Sequence, residues 1–193
     1  RFQNHQVSGR LRGGFQNAGE LCGEEWQSRC VSCMNRIGDS LWSTGVNEPL
    51  VRAFLDADVE FIVVGGLAVS WHWLEREADD MDLLLNPTAE NSIRVVSALR
   101  SQRLDAHDEI AFVREGLQIQ LKESHYAELL TPRNDGESYV EAAKKAVKGK
   151  IFNFSVLIAA KETLIAMKIF ADNTSDPLHE KHRRDLKALR SLV

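Results

Sequence analysis

Apolar and polar positions fall into order from about Asn47 onward. In "NEPLVRAFLDADV", Leu50, Phe54 and Leu55 share one helical face, with Asn47 predicted as N-cap and Pro49 in the first turn. "EFIVVGG" is a β-branched run stopped by two glycines, the signature of a buried strand. A short helix, "GLAVSWHWLERE", is predicted to start at the glycines. A second strand, "MDLLLN", closes at Asn86-Pro87. "TAENSIRVVSALRSQRL" reads as an amphipathic helix capped by Thr88, with Ile93, Val96 and Leu99 along one side. "IAFVREG" and "LQIQLKE" are expected to pair as a hairpin turning at Glu115-Gly116. In the second of these, Leu117, Ile119 and Leu121 face one way and Gln118 and Gln120 the other.

Ser124 to Gly149 reads as loop plus the charged helix "ESYVEAAKKAVKGK". One more strand, "IFNFSVL", leads into the amphipathic helix "AAKETLIAMKIFADN", and Pro177 opens a last helix, "PLHEKHRRDLKALRSLV". The succession implies an α/β (α+β) fold: a mixed sheet flanked by helices, with a C-terminal helical lobe. Residues 34–123 are expected to form the core, and 124–193 a C-terminal strand and helical part of the same domain. Residues 1–33, rich in Gly, Gln, Asn and Arg and without periodicity, are set aside as an irregular extension foreign to the native protein.

Composition narrows the function classes. The chain is 44% hydrophobic and 27% charged, which suits one globular core. The net charge of -4 does not indicate nucleic acid as a partner. No apolar run reaches the length of a membrane span. The three cysteines, Cys22, Cys30 and Cys33, with no secretory signal in view, predict reduced thiols and a cytoplasmic protein. "CVSC" has the spacing of a zinc or redox pair, but no second pair completes a zinc site, so free thiols are expected.

The chemistry concentrates in "VVGGLAVSWHWLEREADDMDLLL". Asp80 and Asp82 are two apart on an extended strand, so their carboxylates lie side by side. Two like charges at that range repel unless a cation sits between them. Mg²⁺ takes hard oxygen ligands and is commonly held by one or two carboxylates plus substrate phosphates. Gly65 and Gly66 open a helix, where bare backbone N–H groups can approach an anion. Neighbouring strands would set a phosphate cradle opposite a metal holder. Asp79 alternates away from this pair and is expected to be a solvated turn residue.

These residues resemble the nucleotidyltransferase superfamily signature of strand, Gly-Gly, helix, then Asp-x-Asp, and are most similar to its minimal, AbiEii-type branch. His72, Arg76, Asp80 and Asp82 match that branch, while Ala78 stands where it carries Thr. The likeness runs from about Val46 to Leu192 and includes Lys168, Arg184 and Asp185 in the closing helices. It implies a nucleotidyltransferase-like sheet, Mg²⁺ held by Asp80 and Asp82, and nucleotide triphosphate bound by Gly65, Gly66, Arg76 and Lys168. The implied reaction moves an NMP from an NTP to a hydroxyl acceptor. It also implies a third carboxylate on the strand "LQIQLK", where this chain has Gln120 or Gln118. A glutamine cannot act as a base. Glu123 lies on the opposite face of a regular strand.

Three readings follow. One is a nucleotidyltransferase acting on a small-molecule or other hydroxyl acceptor. The second is a non-catalytic nucleotide- or partner-binding protein of toxin–antitoxin type, favoured by Gln120. The third is an α/β domain with incidental acids. An acid within reach of Asp80 and Asp82 favours the first; only glutamines there favour the second. For single residues the plainer expectation is structural. His72 makes a helix or loop contact, Lys168 is a solvated helix residue, and one of Trp71 and Trp73 packs in the core while the other lines a cleft.

Overall fold

The computed structural model describes residues 36–37, 44–78, 80–104, 108–121, 125, 127–173 and 179–191. All belong to one unit, Met34–Val193. Cys22, Cys30, Cys33, Asp79, Glu123 and Pro177, and the roles expected of them, lie outside the described residues.

The elements run β1 (Arg36–Ile37), α1 (Thr44–Asp56), β2 (Phe61–Val64), α2 (Gly65–His72), β3 (Met81–Leu85) and α3 (Ala89–Ser101). A 3₁₀ turn follows (Ala111–Val113), then β4 (Gln118–Gln120), β5 (Ala127–Leu130), α4 (Tyr139–Lys145), β6 (Val147–Ile151), β7 (Phe154–Ile158), α5 (Lys161–Asn173) and α6 (His179–Ser191). The strands form one mixed sheet in the order β1-β6-β7-β2-β3-β5-β4. β2 lies at its centre, antiparallel to β3 and parallel to β7. β3 runs parallel to β5, and β5 antiparallel to β4.

The centre is apolar on both faces. Every residue of β2 is buried, and so are Met81, Leu83, Leu84 and Leu85 of β3. α1 packs on α3, while α5 packs on α6 and reaches α2. Asn91, buried in the first turn of α3, anchors both central strands. Its Nδ2 donates to the carbonyls of Glu60 and Asn86, and its Oδ1 accepts from Glu60 N at 2.7 Å. That fixes where β2 begins and β3 ends, and so where the glycines and acids fall. Thr88 caps α3 as expected, accepting from Asn91 N.

Several elements differ from the sequence expectation. Ala111–Val113 is a 3₁₀ turn rather than a strand, held by Phe112 N donating to Ser92 Oγ. β4 therefore pairs with β5, four residues inside the stretch read as loop. The single strand expected in "IFNFSVL" is the end of β6, the turn and most of β7 in a β6–β7 hairpin, with Phe152 at φ 54°. α1 begins at Thr44, which places Asn47 and Pro49 inside the helix. Ile93 points outward, and Val95 joins Val96 and Leu99 in the buried face of α3.

Candidate active site

β2 ends at Val64, and the chain turns into α2 at Gly65 with φ +63°. A side chain disfavours that conformation. Space forbids one as well: a Cβ on Gly65 would lie 1.6 Å from Asp82 Oδ2. The carboxylate of Asp82 is thus packed directly on the glycine turn. Val64 and Asp82 are register partners, so this contact follows from the pairing of β2 with β3. Asp80 precedes β3, and its Oδ1 lies 3.8 Å from where a Gly66 Cβ would sit. Gly65, Gly66, Asp80 and Asp82 are therefore brought together as expected.

The next strand supplies a residue that sequence reading did not single out. Glu128 on β5 is the register partner of Asp82, and Gln120 on the edge strand is the partner of Glu128. Partners across a ladder share a face. The row runs Asp82, Glu128, Gln120, with the acid in the inner place and the glutamine at the exposed rim. Glu128 accepts a hydrogen bond from Gln118 Nε2 at 2.8 Å. An acid thus stands beside Asp82, one strand further in than "LQIQLK". Its signal was weak: "AELL" has only four residues and follows no clear turn.

Asp82 is pushed up to about 7 by its burial first, then by the charges of Asp80 and Glu128; Lys168 and Lys181 pull it back only partly. Among the described residues, no three His, Cys, Asp or Glu side chains are gathered tightly enough to form a metal cluster. The donor chemistry still suits Mg²⁺, since the two aspartates offer hard oxygens and water and phosphates commonly complete its shell.

Arg76 and Lys168 meet over Asp185, a fully buried carboxylate on α6. Arg76 Nε donates to Oδ1 at 2.9 Å, and Lys168 Nζ is 2.9 Å from Oδ2. The second contact is charge at close range rather than an aligned hydrogen bond, because Oδ2 has no donor in line with it. Lys168 is buried rather than solvated, and its Nζ is 3.5 Å from His182 Nδ1. Arg76 Nη2 is buried without a hydrogen-bond partner, 3.2 Å from the position of a Gly66 Cβ. An unspent donor thus faces the glycine turn. His72 is structural, its Nε2 2.9 Å from the carbonyl of Ala159. Trp71 and Trp73 both pack partly against the core, and the guanidinium of Arg184 lies over the ring of Trp73.

A cavity of about 300 Å³ opens over this row, lined by Gly65, Asp82, Gln118, Glu128 and Lys168 among others. The sheet and its flanking helices take the nucleotidyltransferase fold. The solution structure of the antibiotic-resistance factor ANT(2'')-Ia superposes with a TM-score of 0.52 at 15% identity, over 75% of this chain and 80% of that one. An antigenic nucleotidyltransferase-like protein from Paracoccidioides brasiliensis aligns with a TM-score of 0.48 at 16% identity, over 76% of this chain and 74% of its own. The lincosamide antibiotic adenylyltransferase LnuA, lincomycin-bound, aligns with a TM-score of 0.47 at 18% identity, over 74% and 93%. No family model and no curated protein matches the sequence. Among the described residues, no helix is long and apolar enough to cross a membrane.

Proposed function

We propose that this protein is a nucleotidyltransferase of the minimal, AbiEii-type branch, moving an NMP from an NTP to a hydroxyl acceptor. The observation that carries the reading is the row in which Asp82, packed on Gly65, stands beside Glu128. Asp80 and Asp82 would hold Mg²⁺, which when bound supplies positive charge against the triphosphate. The N–H groups of the Gly65-Gly66 turn and the unspent Nη2 of Arg76 face the place of the phosphates. Glu128 takes the role left open at Gln120: a carboxylate able to accept the acceptor's hydroxyl proton. The oxygen so freed attacks the α-phosphorus, the bond to the β-phosphate breaks, and pyrophosphate leaves. A cytoplasmic setting rests on the expectation of reduced thiols.

A second reading has an observation of its own. Both cations assigned to the nucleotide already share Asp185. A protein that only binds a nucleotide or a partner, as in a toxin–antitoxin pair, has no need to release them. Calorimetry with ATP, GTP, CTP and UTP, with and without Mg²⁺, tests the nucleotide site. Mg²⁺-dependent binding that Asp80→Asn/Asp82→Asn abolishes is the expected result. Absence of binding by folded protein overturns both nucleotide readings. Retained binding with pyrophosphate release slowed on the order of 10²-fold or more in Glu128→Gln separates enzyme from binder.

A further inference from the structure

Two residues past each acid, the same strands carry a leucine. Asp82 is followed by Leu84 on β3 and Glu128 by Leu130 on β5, and the two leucines are register partners like the two acids. Residues two apart share a face and lie roughly 7 Å apart. The acid row is therefore flanked, on the same face, by an apolar row. Above that row lies a second cavity, of about 360 Å³, closed by Met167 and Phe170 of α5. It adjoins the first: Leu130, Thr131, Arg133, Met167 and Phe170 line both. The guanidinium of Arg133 lies 3.9 Å over the ring of Phe170 where the two meet.

The polar groups on this second wall are already engaged. Thr131 Oγ1 donates to the Arg114 carbonyl at 2.6 Å and accepts from Leu117 N at 2.9 Å. Thr163 donates to Glu137 at 2.6 Å, and Glu137 also pairs with Lys145. Arg133 pairs with Asp135 at 3.1 Å. A ligand here meets leucine, methionine and phenylalanine, and the wall charges are matched within the protein. Such a cavity gains little from a polycation and favours neutral apolar surface.

The geometry points to an acceptor subsite for a neutral, largely apolar alcohol, its body in the Leu84–Leu130–Phe170 cavity and its hydroxyl one row away at Glu128. This rests on the transferase reading and names the class of acceptor within it. The general base must touch the acceptor's hydroxyl, and Glu128, two residues from Leu130, adjoins the apolar row without being one of the two aspartates assigned to Mg²⁺. The nucleotide's phosphates belong at the glycine turn, on the far side of Asp82 from Glu128.

The test uses 2-(2-naphthyl)ethanol as the neutral alcohol, spermine as the polycation and Mg²⁺-ATP as the nucleotide, each titrated by calorimetry. Ala166, exposed on α5 at the cavity edge, accepts a bulky residue without disturbing the core. The expected result is that the alcohol binds the native protein and that Ala166→Trp weakens it at least tenfold. Ala166→Trp leaves Mg²⁺-ATP binding unchanged. With Mg²⁺-ATP present, mass spectrometry finds the alcohol carrying AMP, and Ala166→Trp suppresses that product. No alcohol binding, equal binding by Ala166→Trp, or spermine binding in the alcohol's place overturns the subsite. Loss of Mg²⁺-ATP binding while the alcohol still binds in an Ala166-dependent way overturns the transferase reading and leaves the cavity's apolar selectivity standing.

Discussion

At the scale of single residues, the contact between Gly65 and Asp82 sets the terms. Gly65→Ala adds a Cβ to a left-handed residue and drives it into the Asp82 carboxylate. The strain alone is worth on the order of 1–3 kcal/mol. Urea unfolding is expected to show a loss of at least about 2 kcal/mol, and calorimetry a loss of nucleotide binding. Asp82 carries a cost of the opposite kind. Its carboxyl titrates near 7 in the fold because it is buried beside Asp80 and Glu128, against an ordinary 3.8. Between those values the native state holds a proton that the unfolded chain has released, so this residue makes stability fall as pH rises. Asp82→Asn should therefore match the native protein near pH 4 and melt higher at pH 8, by an amount on the order of 1–3 kcal/mol. Mg²⁺ added at pH 8 should narrow the gap by raising the native protein alone. A gap that does not change with pH contradicts the burial of an ionisable Asp82.

At the scale of elements, α6 reaches the site through a fully buried carboxylate, Asp185. Asp185 accepts charge from Arg76, which lies between α2 and β3, and from Lys168 on α5. Removing one member of a buried charge group leaves the others uncompensated, typically at about 3–5 kcal/mol. Asp185→Ala is expected to cost that much. Hydrogen exchange should speed first in α6 and the second half of α5. Protection that falls evenly across the sheet would mean that Asp185 does not anchor the helices. The same elements show what the sequence could and could not convey. β2, α2 and β3 were legible because their apolar runs, glycine stop and acids are contiguous, and each element's pattern is complete within itself. Thr88 was legible as a cap for the same reason. β5 was not: it has four residues, little alternation, and is fixed as a strand by β3, which precedes it by some forty positions. Ala111–Val113 looked like a strand because its apolar residues are adjacent. What decides its form is a hydrogen bond from Phe112 N to Ser92 on another element.

At the scale of the whole molecule, the described elements make a single sheet with its charged row off-centre. Glu128 escaped sequence reading because its value lies in register, a property of two strands that neither strand carries alone. Lys168 was misplaced for a related reason: a lysine on a helix face is ordinarily solvated, and here it is buried against Asp185 and His182 of α6. Arg76, Asp80 and Asp82, by contrast, lie in one segment, where their pattern could be read whole. Residues 34–193 hold every described element, and trimming to that range should leave the melting temperature within a few degrees and the Mg²⁺-nucleotide affinity unchanged. A trimmed chain that fails to fold would make residues 1–33 part of the native protein.

The pairing of β2 with β7 bears on how the molecule is made. Ile62 lies beside Leu157, and Val63 beside Ile158, so the middle of the sheet is completed by a strand near the end of the chain. During synthesis the β2–β3 ribbon emerges with its glycine turn and acids early, and must wait for its other neighbour. Through that interval an entirely apolar strand presents an open edge to other nascent chains. Such distant closure also slows the search for the native arrangement. Yield in cells should therefore depend on chaperone supply more steeply than the stability of the finished protein suggests.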